Sequence, residues 1–509
     1  MSSTKSQKNG KKVLDLHPEN NFTTSPPTNA AGSEKAPDYS CERLFAVTGN
    51  PVLHSKSPLI FNTLFRELSI DALYLRVAAS TPLEALFLSR KLKLTGMNVT
   101  APFKKSIMAF LDSVEEAAAV IGGVNTIVLE DGRLRGYNTD YTGVTRSLRE
   151  RGITIGGRNC VVLGAGGAGR AAVYGLIKEK GDVCLVNRTY EKAVAAAKDL
   201  GCRAEKIEQL ESLLQKADIF VSTLSSSVDI VPGEWLPGSL VVFDANYKSS
   251  PLSQKAQARG CCVLKGEEWL LHQALPAFRY FLAATGLNGA LKLQEKELSK
   301  SFAGVQGAVF QKSPLPAGGK KKNLTSTIKS SLLSRPPGFK NISLVGFMGS
   351  GKTIIGKKLA AKMGFFFVDT DEQIEIETGC SVPEIFESRG EAGFRALEKS
   401  VIKKLLLEGS GTVFSCGGGV VTDEENRRIL AENSVVIWLY VTVRTALGRI
   451  RRGTRPLLDG EDRGRRARSL LSSRLPFYSR AAHIIVSSEN DVDEVVEKIH
   501  EEISKTFEN

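Results

Sequence analysis

At 509 residues the chain exceeds what one hydrophobic core organises, so about three domains are expected. Its 42% apolar and 7% aromatic content is ordinary for a globular protein, and no apolar run reaches the ~20 residues needed to span a bilayer. The net charge of +13 invites a nucleic-acid reading, but residues 311–340 hold seven basic side chains and no acidic one, residues 1–40 hold five lysines against four acids, and these segments together supply +8. No nucleic-acid or membrane partner is therefore expected.

In chain order, residues 1–40 are rich in Ser, Asn, Lys and Pro and lack an apolar h-region. Asp15, Glu19 and Glu34 and the absence of Arg from Met1–Asp38 also disfavour a transit peptide, so a disordered tail is expected. Residues 41–140 alternate strand patterns (Leu44–Val47, Ala72–Val77, Gly96–Val99) with helical ones (Leu59–Leu68, Pro82–Leu92), which implies an α/β domain with a mainly parallel sheet. Residues 141–268 repeat the alternation as a doubly wound nucleotide fold: strands Cys160–Leu163, Val183–Val186, Ile219–Ser222 and Leu240–Asp244, with helices ending at Lys178 and covering Glu191–Leu200. A helical stretch, Trp269–Thr285, lies in the closing segment 269–300. Residues 301–339 read as a basic flexible linker that tethers with mobile geometry, and 340–509 as a third α/β unit. Eight scattered cysteines without a C-x-x-C pair fit reduced thiols in the cytoplasm, with a plastid as the alternative for a plant or algal source.

Two different glycine-rich phosphate loops follow strands. Gly164-Ala165-Gly166-Gly167-Ala168-Gly169 has dinucleotide-fingerprint spacing, and Gly346-Phe347-Met348-Gly349-Ser350-Gly351-Lys352-Thr353 has P-loop spacing. In the first, small residues let a pyrophosphate approach a helix N-terminus. About 20 residues on, where an acid would hold the ribose of NAD, the chain reads Asn187-Arg188-Thr189 with Lys192 one turn later; two cations fit a 2′-phosphate, hence NADP(H). In the second, Lys352 is expected to reach the β- and γ-phosphates of ATP and Thr353 to ligate Mg²⁺. A hydride-transfer and a phosphoryl-transfer module in one chain imply two reactions.

The motifs Gly49–Pro58, Asn98-Val99-Thr100-Ala101-Pro102-Phe103-Lys104, Gly123–Thr126, Asn138-Thr139-Asp140, Asp244-Ala245-Asn246-Tyr247 and His272-Gln273-Ala274 resemble shikimate dehydrogenase, from Arg43 to about Leu293. The wording around Tyr137 and Arg188 looks closer to the dehydrogenase part of plant-type dehydroquinase–dehydrogenase fusions, although no dehydroquinase domain is present. The resemblance implies that Ser55 and Ser57 bind the substrate carboxylate, that Asn98, Thr100, Asn125 and Gln273 bind ring hydroxyls, and that Tyr247 closes the site. Lys104 and Asp140 would form the catalytic pair, the lysine delivering a proton to the developing alkoxide. Both serines are kept, which favours 3-dehydroshikimate over a quinate-type substrate.

Asp369-Thr370-Asp371, Gly393-Phe394-Arg395, Gly417-Gly418-Gly419, Arg455-Pro456-Leu457-Leu458 and Arg474–Tyr478, in this order, resemble shikimate kinase from Asn341 to about Glu501. By that resemblance Arg395 and Arg474 clamp a carboxylate, Asp371 accepts from ring hydroxyls and acts as base or orienter, and Asp369 holds Mg²⁺. Asp369 and Asp371 also read as helix N-cap residues. Gly417, Gly418 and Gly419 let substrate pack closely, and Arg455 is the lid arginine at the transferring phosphoryl group; which of Arg449, Arg451 and Arg452 meets adenine stays open.

The implied fold class is a two-domain α/β dehydrogenase, with a substrate domain and an NADP-binding Rossmann domain, followed by a parallel-sheet P-loop kinase domain. The implied function is bifunctional: NADPH reduces 3-dehydroshikimate, and ATP then phosphorylates shikimate, on the route to chorismate and the aromatic amino acids. Alternatives are an NAD-linked quinate dehydrogenase fused to a kinase, a metabolite sensor built from inactive domains, and a scaffold for other enzymes of the pathway. Intact Lys104, Asp140, Lys352, Asp371 and Arg455 weigh against the sensor.

Overall fold

The computed structural model describes residues 43–225, 227–247, 250–286, 340–450 and 462–507. The expected tail, the basic linker and the lid arginine Arg455, with Arg451 and Arg452, lie outside them.

The first α/β region contains strands β1 (Arg43–Gly49), β2 (Ala72–Ala78), β3 (Gly96–Val99), β4 (Ser113–Val114), β5 (Thr126–Glu130) and β6 (Arg133–Tyr137). Strands β1, β2 and β3 are parallel, whereas β5 pairs antiparallel with both β3 and β6. The region is mainly parallel, as expected, with β4 also pairing parallel to β6; β5 is the exception, because Asp131-Gly132, both with positive φ, turns the chain straight back and makes a hairpin.

The second region holds β7 (Asn159–Leu163), β8 (Asp182–Val186), β9 (Arg203–Glu205), β10 (Ile219–Ser222), β11 (Val241–Asp244) and β12 (Cys262–Lys265). They form a separate parallel sheet in the order β12-β11-β10-β7-β8-β9, whose order reverses beside β7, where the dinucleotide loop begins. Helices Asp140–Glu150 and Gly266–Ala284 pack on each other where the two regions meet. The second helix sends Phe278, Phe281 and Leu282 into the core of the first region.

The third region holds β13 (Asn341–Val345), β14 (Phe366–Asp369), β15 (Thr412–Ser415), β16 (Val435–Tyr440) and β17 (Ile484–Ser487). Its parallel strands do not form an isolated sheet. β17 pairs with β2 of the first region, giving one eleven-stranded sheet in the order β14-β15-β13-β16-β17-β2-β1-β3-β5-β6-β4. The register at the seam places Ile485 opposite Val77 and Val486 opposite Ala78. Because side chains alternate along a strand, the first pair joins one apolar layer and the second the other, and both layers run from one region into the next. The mobile tethering expected from the linker is therefore corrected: two edge strands with open ladder groups satisfy each other.

Eight neighbouring strands, from β14 to β3, run parallel, so their C-terminal ends lie along one edge of the sheet. Segments carrying expected site residues on both sides of the seam start at that edge. β13 and β1 are four strand steps apart, about 19 Å at ~4.8 Å per step.

Candidate active sites

A cavity of about 150 Å³ opens between the first sheet and the dinucleotide-binding region. Ser55 and Ser57, from the turn after β1, form one wall, and Asn98 and Thr100, at the end of β3, form another. Lys104, Asn125, Asp140, Tyr247 and Gln273 line the rest, Asn125 Nδ2 donating to Gln273 Oε1 at 3.4 Å, and Ala168 of the glycine loop also lines the space. The structure thus brings together the residues named for substrate and proton transfer in the dehydrogenase half.

Their hydrogen bonds form one network. Lys104 Nζ donates to Asp140 Oδ2 at 2.6 Å. Asn125 Nδ2 donates to Asp140 Oδ1 at 2.9 Å, and Thr139 Oγ1 donates to Gln273 Oε1 at 3.1 Å. Asn98 Nδ2 donates to the Asn125 carbonyl and to Thr126 Oγ1, while its Oδ1 accepts from the Tyr74 hydroxyl at 2.5 Å. Burial pushes the Tyr74 phenol above its ordinary pKa, so it stays a donor. Sequence reasoning gave no role to Tyr74, Thr126 or Thr139; the threonines lie inside the quoted motifs, but nothing around Tyr74 marks it.

The dinucleotide loop is tight where chain meets chain and open where a ligand would lie. A methyl on Gly169 would come within 1.7 Å of the Gly164 carbonyl oxygen, whereas one on Gly166 would meet nothing within 4 Å. Asn187 accepts from the Ala165 N–H at 3.1 Å, so this side chain braces the turn. Arg188, Thr189 and Lys192 are exposed beyond β8. The open backbone and the two cations fit a 2′-phosphorylated dinucleotide.

In the third region the P-loop joins β13 to helix Lys352–Met363. Gly349 has φ 79°, and a methyl there would lie 2.7 Å from the Ala446 carbonyl oxygen, so the loop is wedged against the neighbouring helix Val443–Arg449. Lys352 Nζ donates to the carbonyls of Gly346 at 2.9 Å and Phe347 at 3.3 Å, which holds the ammonium at the mouth of the loop. The Ser350 side chain is buried beneath it. Thr353 Oγ1 donates to Asp369 Oδ2 at 2.9 Å, an all-oxygen pair of the kind Mg²⁺ takes. Asp369 also caps helix Thr370–Thr378 by accepting from the Asp371 N–H, so its capping and metal readings coexist.

Asp371, Arg395, Arg474 and Gly417–Gly419 converge. Arg474 is 7% exposed and donates to the Gly418 carbonyl at 3.3 Å, which the Tyr478 hydroxyl also reaches at 2.6 Å. Methyls on Gly417 and Gly419 would press on Asp371 Oδ1 and on the Arg395 guanidinium, so these glycines already make room for protein side chains. Arg395 donates to Glu398 Oε2 at 2.8 Å. Glu398 is fully buried, and burial pushes its carboxyl above the usual range against the pull of Arg395. Sequence reasoning missed it, although it lies one helical turn after Arg395. The kink at Gly390 (φ 66°) inside 382–408 starts the helix that carries both. Arg449 donates to the Gly349 and Ser488 carbonyls.

Together, fold and sites define a class: a two-domain α/β dehydrogenase continuous with a P-loop phosphotransferase. The family models "Shikimate dehydrogenase substrate binding domain" and "Shikimate / quinate 5-dehydrogenase" match residues 47–127 and 148–241, and "Shikimate kinase" matches residues 348–504. Shikimate dehydrogenase (NADP(+)) of Thermococcus kodakarensis is 39% identical over 247 residues, covering 47% of this chain and 90% of that protein. The enzyme of the same name from Pyrococcus furiosus is 36% identical over 261 residues, covering 50% of this chain and 94% of that one. A crystal structure of shikimate dehydrogenase from Aquifex aeolicus superposes with a TM-score of 0.45 at 36% identity, covering 48% of this chain and 96% of that one. The chain belongs to the shikimate dehydrogenase family and carries a shikimate kinase domain behind it, as a bifunctional shikimate-pathway enzyme.

Proposed function

We propose that the Lys104–Asp140 cavity reduces 3-dehydroshikimate to shikimate, and that the site around Lys352, Asp371 and Arg474 phosphorylates the shikimate 3-hydroxyl with ATP. The carrying observation is the 2.6 Å Lys104–Asp140 pair inside a cavity walled by Ser55, Ser57, Asn98 and Gln273. NADPH, held by Gly164–Gly169 with Arg188 and Lys192 at its 2′-phosphate, supplies the hydride when bound. Ser55 and Ser57 donate hydroxyls to the substrate carboxylate, and Asn98, Asn125, Thr100 and Gln273 hold its ring hydroxyls. Lys104 Nζ donates the proton that the ketone oxygen takes as it becomes an alcohol, while Asp140 keeps the ammonium aimed and accepts from a neighbouring hydroxyl. Tyr247 covers the carboxylate end.

In the second site Arg395 and Arg474 clamp the carboxylate of shikimate. Asp371, whose carboxylate lies beside Gly417, accepts from the ring hydroxyls and acts as base or orienter for the attacking one. Lys352 and Arg455 neutralise charge on the transferring phosphoryl group. Mg²⁺, held by Thr353 with Asp369 behind it, screens the phosphate oxygens when bound.

The open face of both sites is built for small anions, so small-molecule substrates are the partners, with other enzymes of the pathway the open class beyond them. The cysteines among the described residues are free thiols, which supports work in a reducing compartment such as the cytoplasm. No described helix is long and apolar enough to cross a membrane.

Paired variants test the assignment. Lys104→Ala is expected to lower the rate of 3-dehydroshikimate reduction by about 10²–10⁴-fold and leave NADPH binding and shikimate phosphorylation intact. Asp371→Asn is expected to do the reverse. Loss of both activities in either variant would show that the sites are not the independent ones described.

A further inference from the structure

The seam between the two enzymes reaches the dehydrogenase's substrate loop. The last helix, Val492–Phe507, lies beyond the kinase sheet and packs Val495, Val496, Ile499 and Ile503 into the same apolar layer as Val52 and Leu53. From this helix, Glu502 Oε2 accepts from the backbone N–H groups of both Val52 (2.8 Å) and Leu53 (2.7 Å). Val52 is fully buried, Leu53 is 8% exposed and Glu502 only 2%, so these N–H groups have no route to water. The same turn continues to Ser55, whose N–H donates back to the Val52 carbonyl at 3.0 Å. The Ser55 carbonyl accepts from Nε and Nη2 of Arg76, and Arg76 Nη1 donates to the carbonyl of His483 on the kinase side of the seam. The loop that presents Ser55 and Ser57 to the cavity is thus fixed at both ends by groups that touch the kinase.

We propose that Glu502 is a positioning residue of the dehydrogenase: the kinase's C-terminal helix sets the loop carrying Ser55 and Ser57, so the grip on the substrate carboxylate depends on the kinase unit. The proposal rests on the assignment of that cavity to 3-dehydroshikimate. Without the carboxylate, two buried N–H groups lose their acceptor and the turn between Val52 and Ser55 relaxes. The effect falls on carboxylate binding, because Lys104, Asp140 and the dinucleotide loop hang on other strands. A second seam contact separates positioning from general loosening. Lys498, one turn before Glu502 on the same helix, pairs its Nζ with Glu84 Oε1 of helix Pro82–Lys91 at 2.7 Å; it reaches Glu502 only through its charge, while the two N–H bonds to Val52 and Leu53 belong to Glu502.

The experiment compares full-length wild type, Glu502→Ala, Glu502→Gln and Lys498→Ala. In Glu502→Ala the KM for 3-dehydroshikimate is expected to rise about tenfold, with kcat, the KM for NADPH and shikimate phosphorylation within about twofold of wild type. Glu502→Gln keeps the acceptor oxygen and is expected to restore the KM, and Lys498→Ala to leave it unchanged. Should the alanine variant not fold, Glu502→Asp, which withdraws the carboxylate by one methylene, is expected to raise the same KM. An unchanged KM in Glu502→Ala, or an equal rise in Lys498→Ala, overturns the proposal. A wild-type enzyme that reduces no 3-dehydroshikimate overturns instead the functional reading beneath it.

Discussion

The two glycine-rich loops of this chain look alike as strings and are built differently. In the first, the glycine at the helix start is required because chain crosses chain: Gly169 packs on the Gly164 carbonyl, and the loop's own residues bring no cation. An anion bound here would face the N-terminus of helix Gly167–Lys178, with Arg188 standing apart just past β8 and Lys192 in the first turn of helix Tyr190–Leu200. The second loop is wedged against a neighbouring helix at Gly349 and carries its own ammonium, already held over the loop by two carbonyls. A cradle without a built-in charge suits a dinucleotide whose reacting ring lies far from its phosphates. One with a lysine at its mouth suits chemistry at the phosphate itself.

That difference makes unequal demands on single cations. Lys352→Ala should lower the phosphorylation rate by about 10²–10³-fold, if its charge meets the transferring phosphoryl group as proposed. A stopped-time assay starting from shikimate and ATP checks it, and a loss below tenfold would erase the distinction between the loops. Arg188→Ala should act only on binding. The KM for NADPH is expected to rise about tenfold and that for NADH to stay put, with kcat unchanged. Equal changes for both cofactors would move the 2′-phosphate site elsewhere.

The smallest expected effect concerns the seam that joins the two units. Burial pushes the Glu502 carboxyl up from 4.5 to about 7 against its two N–H donors; Glu501 adds to the rise and Lys498 opposes it, with Arg76 also facing the group. A pKa raised by folding means that the folded chain holds the proton more tightly. The stability so gained is full below about 4.5 and is lost as pH rises through about 7. Glu502→Gln has no such proton. Between pH 5 and 8 the Tm of wild type should fall by a few degrees relative to that variant, on the order of 1–3 kcal/mol, in paired thermal melts. A constant gap would place the charge in water.

Local signals carried much of this architecture. Strand Gly96–Val99 and the strands flanking both glycine loops are visible as apolar runs before turns, and the dehydrogenase cavity collects residues from separated motifs. Strand β6 of the hairpin was harder to see, since Leu134, between Arg133 and Arg135, is its one buried apolar side chain. The seam had no local signal at all. It pairs strands hundreds of residues apart, and its polar clasp uses Arg76, His483, Lys498 and Glu502, none of which belongs to a motif. Glu398 escaped notice for a related reason: a buried carboxylate that orients an arginine looks in sequence like any helical glutamate.

One sheet edge carries both sites, and the product of the first reaction is the substrate of the second. The most direct test gives the full-length protein 3-dehydroshikimate, NADPH and Mg-ATP and identifies products by chromatography and mass. Shikimate 3-phosphate, formed with one NADP⁺ and one ADP per molecule, is the expected result. Shikimate accumulating without phosphorylation, or no turnover of 3-dehydroshikimate, would contradict the assignment of two working sites to this chain.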